Sequence, residues 1–234
     1  MTPIISEGYS YIGGCAALAL LLGWSIHPYV AVVPLVLMLY FCYFFRNPNR
    51  TIPMDDSVVL SPADGTVTDI VPLDTDEFVK EPCNKVIIFM SVFNVHVNRS
   101  PIQGRIKLQK YFCGRFRPAY KDEVGFENEH HLIGIESSRL RITVKQIAGI
   151  LARRIVSWVT LDDALRQGEL YGMIRFGSCL EVVMPQDVAV TVKKGQKVKA
   201  GEILAVPLVR AAEPMNPLLT KVLLVGVGSG TPTE

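Results

Sequence analysis

The chain opens on two apolar runs, Tyr9 to Ile26 and Tyr29 to Phe45, separated by His27-Pro28 and free of charged residues. Each run approaches the ~17–25 residues with which a helix crosses the hydrocarbon core of a bilayer. Proline disfavours helix at the residue before it, so the pattern predicts two helices joined by a tight turn: an N-terminal transmembrane helical hairpin. Tyr9, Tyr11, Trp24, Tyr29, Tyr40 and Tyr43 gather toward the run ends, as interfacial aromatics do. A cleaved secretory leader is the rival reading. It fails because Met1 to Ser10 has no Lys or Arg and a second apolar run follows at once. Arg46 and Arg50 come next, and the positive-inside rule then sets the rest of the chain on the cytoplasmic side of the cell membrane.

From Thr51 onward the apolar positions fall in short runs punctuated by Gly and Pro. Val58 to Leu60, Thr66 to Val71, Val86 to Ser91, Ile102 to Tyr111 and Leu132 to Ser137 read as strands. Arg139 to Gln146 alternates, with Leu140, Ile142 and Val144 on one face and Arg141, Thr143 and Lys145 on the other, as in a half-buried antiparallel strand. Only Ala148 to Trp158 has a helical pattern, and its Ile155 to Val159 portion reads equally as strand. The expected fold is mainly β, with α+β left open, and consists of antiparallel sheets behind the hairpin. The boundaries are an anchor over 1–50, a main domain over 51–217 and a tail over 218–234.

Val192 to Ala205 carries the Val-x-x-Gly-x-x-Val-x-x-Gly rhythm of biotinyl and lipoyl carrier domains, and Ser61 to Val67 resembles the turn and strand of the same domains. Gly195 and Gly201 supply the positive φ that such turns require. Both stretches read as scaffold, a barrel-sandwich-like portion of the main domain.

Composition narrows the function classes. A net charge of +2 gives no electrostatic footprint for nucleic acid. The mean hydropathy of +0.29 is high, and the excess sits in the segment up to Phe45. The five cysteines, Cys15, Cys42, Cys83, Cys113 and Cys179, are odd in number and lack C-x-x-C spacing, which argues against a disulfide framework or a metal site. His130 and His131 are adjacent, so on a strand they face opposite sides and read as a solvated surface, not as a shared metal site. Arg115, Arg117, Lys121 and the Arg153-Arg154 pair read as a solvated face or as contacts to a phosphate.

One dipeptide stands out by position. Met173 to Phe176 and Cys179 to Met184 read as strands that meet at Gly177-Ser178 with no loop between them. A Gly-Ser pair alone means little, since at about 7% abundance for each residue a chain of this length holds roughly one by chance. Its place between two apolar runs is what matters. Gly168 to Ser178, read as Gly-x-x-x-Gly-x-Ile-x-Phe-Gly-Ser, resembles the processing site of the phosphatidylserine decarboxylases. Ser61-Pro-Ala-Asp-Gly65 resembles that family's aspartate motif, and Ser91-Val-Phe-Asn-Val-His-Val-Asn-Arg-Ser-Pro101 its histidine motif. Asn128-Glu129 and Arg153-Arg154-Ile155 match its middle section, and the likeness runs in order from Phe44 to Leu208.

The resemblance implies that Ser178 attacks the Gly177 carbonyl, that the chain is cut between these two residues, and that Ser178 becomes a covalent pyruvoyl cofactor. It further implies a catalytic domain over 51–217 that decarboxylates phosphatidylserine to phosphatidylethanolamine through a Schiff base. Its partners would be phosphatidylserine in the bilayer and its own two products, 1–177 and 178–234, held as a heterodimer, with a higher oligomer left open. Asp64 and His96 would assist Ser178, His96 taking the proton and Asp64 orienting it. The chain departs from its longer relatives at Arg99, where they carry a second histidine assigned to self-cleavage. His96 then either serves both reactions, or Asp64 acts through water. Two rival readings are a membrane-tethered biotinyl- or lipoyl-like adaptor or carrier without activity, and a pyruvoyl decarboxylase of a soluble amine. The first lacks a Met-Lys-Met-type hairpin, and the second leaves the apolar runs unexplained.

Overall fold

A computed structural model describes residues 3–53, 55, 57–114, 128–149, 154–175 and 178–207. Two helices, α1 (Tyr9–Ser25) and α2 (Val32–Phe44), come first, joined by a 3-10 turn over Pro28–Ala31. The strands that follow are β1 (Val59–Leu60), β2 (Gly65–Leu73), β3 (Cys83–Met90), β4 (Val97–Arg99) and β5 (Gly104–Phe112). Next come β6 (His130–Glu136), β7 (Arg141–Ala148), β8 (Arg154–Ser157), β9 (Ala164–Leu165) and β10 (Leu170–Arg175). The described strands end with β11 (Ser178–Pro185), β12 (Val188–Val190), β13 (Lys197–Val198) and β14 (Ile203–Pro207).

These strands form an eight-stranded sheet in the order β13-β2-β3-β11-β7-β6-β5-β9 and two three-stranded sheets, β4-β10-β8 and β1-β14-β12. Every pairing is antiparallel. The mainly-β, antiparallel expectation is met. The core gathers Ile88, Met90, Ile106, Ile133, Ile142, Val144, Leu180 and Val182, all without solvent exposure or nearly so. Each such side chain contributes roughly 1.5–3 kcal/mol by leaving water. β11 lies between β3 and β7 and is buried along almost its whole length, which its apolar sequence permits. The helical reading of Ala148 to Trp158 does not hold over its described part, where β7 ends at Ala148 and β8 is strand. β-Branched Ile155 and Val156 suit a strand beside β10 better than an isolated helical turn.

The two carrier-like stretches face one another. Gly195 donates its N–H to the Val67 carbonyl and Gly201 to that of Ser61, and β13 pairs with Gly65 and Thr66. Gly195 and Gly201 have φ of +85° and +94°, as their turns require.

The hairpin is present, but its transmembrane length is not. At about 1.5 Å per residue, the 17 residues of α1 rise about 26 Å and the 13 of α2 about 20 Å, short of a ~30 Å hydrocarbon core. Among the described residues no helix is long and apolar enough to cross a membrane. The reason is local. Pro28 starts a 3-10 turn capped by His27, whose Nδ1 accepts the Tyr29 N–H at 3.4 Å, so the second run gives up its first turn to the reversal. Both helices are apolar all round yet exposed at the far end, Trp24 by 94%. At the near end Ile5, Phe44 and Phe45, with Tyr11, Tyr40 and Phe41, pack against Val95 and against Val97 and Met173 of the β4-β10-β8 sheet.

Candidate active site

Ser178 is the first residue of β11, paired with Met90 of β3 on one side and Ala148 of β7 on the other. It is fully buried, and its hydroxyl donates to the Met90 thioether at 3.3 Å. β10 belongs to one sheet and β11 to another, so the chain changes sheets between Arg175 and Ser178. The two strands expected on either side of the pair are present as β10 and β11. Gly177 itself lies outside the described residues, as do Arg115, Arg117, Lys121, Arg153 and the tail 218–234.

Behind Met90 runs a chain of buried amides. Asn98 directs its Nδ2 toward the same sulfur at 4.0 Å, and its Oδ1 accepts from Gln146 Nε2 at 2.8 Å. Gln146 Oε1 meets His131 Nδ1 at 3.0 Å, and Gln109 Nε2 meets His131 Nε2 at 3.1 Å while also donating to the Val159 carbonyl. An amide NH₂ can only donate, so His131 Nε2 is the acceptor and Nδ1 carries the hydrogen. Burial lowers the pKa of His131, with the Gln146 hydrogen bond opposing, and the ring is neutral. The expectation of a solvated surface is therefore corrected, since both histidines are buried. His130 stacks on Phe112 with centroids 4.5 Å apart and contacts the Asn128 carbonyl, while His131 faces the amides. The two point apart, as adjacent strand residues must.

His96 precedes β4 and is fully buried. Its Nδ1 lies 3.0 Å from the Asn94 carbonyl, which only accepts, so Nδ1 holds the hydrogen and Nε2 is the basic nitrogen. The Phe44 ring covers it with centroids 4.4 Å apart, which brings the hairpin's base into the site. Burial, opposed by the Asn94 hydrogen bond and aided by the nearby Arg46 cation, pushes the His96 pKa down to about 4. The ring is thus neutral at ordinary pH. The His96 carbonyl accepts from Ile174 N–H of β10, four residues before Ser178.

Asp64 has different company. Its carboxylate accepts from Arg50 Nη2 at 2.7 and 2.9 Å and from the Ala200 N–H at 2.8 Å. Arg99, at the far end of β4 from His96, is buried and donates to the carbonyls of Gly168 and Pro48 and to Asn47 Oδ1. Its pKa is lowered by burial and by Arg50, with Asp64 opposing. Thus His96 and Ser178 are tied to the two ends of the β10-to-β11 passage, whereas Asp64 joins Arg50 and Arg99 in a cluster that fastens residues 47–50 to the domain. The group holding Nδ1 of His96 is the Asn94 carbonyl.

Met90, Asn98, Gln146, His131 and Arg50 were not singled out as parts of the site from sequence. The signal for Asn98 is a polar residue directly after the Val95-His96-Val97 run, and for Gln146 a polar residue at the apolar end of an alternating strand.

A sequence profile described as phosphatidylserine decarboxylase matches residues 37–206. A phosphatidylserine decarboxylase proenzyme of Carboxydothermus hydrogenoformans is 43% identical over 196 residues, 83% of this chain and 92% of the relative. Proenzymes of the same name from Syntrophus aciditrophicus and Symbiobacterium thermophilum are 47% and 42% identical, over 74% and 86% of this chain and 82% and 94% of their own. Among solved structures, glucose permease IIA from Mycoplasma capricolum overlaps 64% of this chain and 94% of its own at 16% identity, with a TM-score of 0.34 too low to bear on fold or function. The buried serine at the change of sheets, the histidine and aspartate motifs and these relatives agree: the chain belongs to the phosphatidylserine decarboxylase family.

Proposed function

We propose that this chain is a proenzyme that cuts itself between Gly177 and Ser178 and then converts phosphatidylserine to phosphatidylethanolamine and CO₂. The observation that carries the reading is Ser178 itself, a fully buried serine that opens β11 where the chain leaves one sheet for another. Its hydroxyl oxygen adds to the Gly177 carbonyl, the C–N bond breaks, and an ester with a free amine at 178 results. Loss of the Cα proton of residue 178 breaks the Cβ–Oγ bond and frees the carboxylate of Gly177. Tautomerisation to the imine and hydrolysis, with release of ammonia, leave a pyruvoyl group at the new N-terminus.

Serine needs a base. His96 takes the hydroxyl proton on Nε2, being held neutral by burial and oriented by the Asn94 carbonyl. Asp64 acts from a distance, through its ion pair with Arg50. The surroundings suit a ketone, since Met90 is apolar and the Asn98 amide stands ready as a donor on the same sulfur. A pyruvoyl group at residue 178, held beside Met90 and Asn98, would supply an electron sink for the pair released with CO₂.

The cut would not release the second fragment. β11 is hydrogen-bonded to β3 and β7 along its length, so 1–177 and 178–234 remain one body. The exposed apolar hairpin enters the lipid as a shallow anchor, with residues 1–50 as anchor and the catalytic domain, 51–217, on the cytoplasmic face. An apolar surface of this extent is characteristic of a membrane or partner contact.

Intact mass and a denaturing gel test the processing step. Purified protein should give fragments 1–177 and 178–234, the latter resistant to Edman degradation until aminated. Ser178→Ala should stay whole, folded and inactive, and Ser178→Cys should retain some cleavage through a thioester. A whole chain that decarboxylates lipid would refute the mechanism.

A further inference from the structure

Two cations beside the cleavage site have no work in the reaction as described. Arg154 of β8 and Arg175 of β10 are register partners in an antiparallel pair, so their side chains leave the sheet on the same face. Val156 and Met173, two residues along each strand, share that face and pack against the hairpin's base. Arg175 reaches the hairpin directly, since its Nη1 lies 3.4 Å from the Tyr11 hydroxyl and its guanidinium carbon 5.9 Å from the Tyr11 ring centroid.

Like charges directly opposite on a ladder destabilise it. Neither arginine has a carboxylate in ion-pair range among the described residues. Among the described residues Arg175 Nε is buried without a hydrogen-bond partner. A buried donor left unsatisfied normally costs about 1–3 kcal/mol, and native structures seldom carry one without a purpose. The fold thus holds two arginines on one face of the ladder, Arg154 exposed and Arg175 with an unpartnered donor among the described residues, at the foot of an apolar hairpin and with Arg175 only three residues before Ser178.

An anion placed between them would remove both penalties. A phosphodiester suits a pair of planar forks, which bind its oxygens in a bidentate manner. The hairpin's base selects an anion that arrives attached to apolar chains. We propose that Arg154 and Arg175 form the receptor for the phosphodiester of the lipid headgroup and so direct its amino-acid end toward residue 178. This assignment rests on the proposed decarboxylase reading and adds the residues that recognise its substrate class.

The test uses the full-length, self-processed protein in mixed micelles, with Arg154→Gln, Arg175→Gln and Arg175→Lys. Two substrates are compared: phosphatidylserine at varied mole fraction, and an O-alkyl serine of similar chain length without phosphate. Both glutamine variants should raise KM for phosphatidylserine about tenfold or more, the worth of a charge-assisted hydrogen bond. The preference in kcat/KM for the phosphate-bearing substrate should fall by a similar factor, with Arg175→Lys between wild type and Arg175→Gln. Should Arg175→Gln fail to process itself, Arg154→Gln on the neighbouring strand decides alone. An unchanged KM for phosphatidylserine, or an equal loss on both substrates, overturns the assignment. A wild-type protein inactive on phosphatidylserine would instead overturn the decarboxylase reading itself.

Discussion

Ser178 points its hydroxyl hydrogen at the sulfur of Met90, 3.3 Å away, so the nucleophile of the proposed reaction rests on one of the weakest acceptors a side chain offers. The serine must leave that sulfur before a base can take its proton. Met90→Leu keeps the volume and removes the acceptor, at a stability cost below about 1.5 kcal/mol. Self-cleavage should proceed at the wild-type rate or a few-fold faster, followed by fragment mass over time after synthesis. A large slowing would mean that the sulfur aligns the hydroxyl for attack.

The amide chain behind Met90 is expected to act as one unit. Asn98→Ala strands the Gln146 Nε2 donor in the interior, and Gln146→Ala frees both Asn98 and His131. Each single change should cost about 1–3 kcal/mol, while the double variant should cost well short of the sum. Chemical denaturation of the four chains on a Ser178→Ala background measures the coupling. Strict additivity would show that the residues are neighbours and nothing more.

Acid stability provides a third measurement. His96 has a folded pKa of about 4 against 6.5 unperturbed, so between these values the unfolded chain binds the additional proton. Stability should therefore be complete above pH 6.5 and fall as the pH drops toward 4, by on the order of 3 kcal/mol from this residue once both limits are passed. His130 and His131, also lowered by burial, act in the same direction. Replacing His96 with Asn should flatten the pH dependence of the denaturation midpoint, and parallel profiles for the two chains would contradict the burial argument.

Phe44 links the helical hairpin to this titration. Its ring covers His96 and is itself without exposure, so Phe44→Ala should cost about 3–5 kcal/mol and admit water to the imidazole. The His96 pKa, followed by NMR on the ring protons, should then rise toward 6.5. Deleting 1–43 should likewise release the domain from membranes but disturb the site, because Ile5, Tyr11, Tyr40 and Phe41 leave with it. An unmoved His96 resonance in both chains would reduce the hairpin to a tether.

The sequence made some of these relations legible and hid others for physical reasons. Apolar runs on both sides of Gly177-Ser178 announced two strands, because period and residue type are local properties, and β10 and β11 are there. The runs before Phe45 announced a helical hairpin, yet its helical length depended on how Pro28 and His27 cap the reversal. Burial of His131 was not legible, since it depends on Gln109 and Gln146 arriving from β5 and β7. Asp64 was found by motif, but its partner Arg50 lies in a segment whose path along the domain no periodicity describes.

That ion pair also frames the choice left open by Arg99. Asp64 has both carboxylate oxygens on Arg50 and one also on the Ala200 amide, and the two side chains are 10% and 17% exposed. Arg99 is held by Gly168, Asn47 and Pro48, and remains a cation that cannot act as an ordinary base. On the proposed reading His96 serves both reactions, so His96→Ala should leave the chain uncut with no pyruvoyl group formed. Were His96 needed for decarboxylation alone, the variant would cleave normally and turn lipid over at least about 10²-fold more slowly, the lower end of a general acid's usual contribution. Asp64→Asn should also block cleavage, but through structure, since breaking a buried pair costs about 3–5 kcal/mol. Arg50→Gln therefore separates the two roles of Asp64. If the carboxylate only fastens residues 47–50, Arg50→Gln should reproduce the Asp64→Asn defect in both stability and fragment mass. If the carboxylate takes part in proton transfer, Arg50→Gln should lose the same stability yet still cleave, and the aspartate rather than His96 would be the base for self-processing.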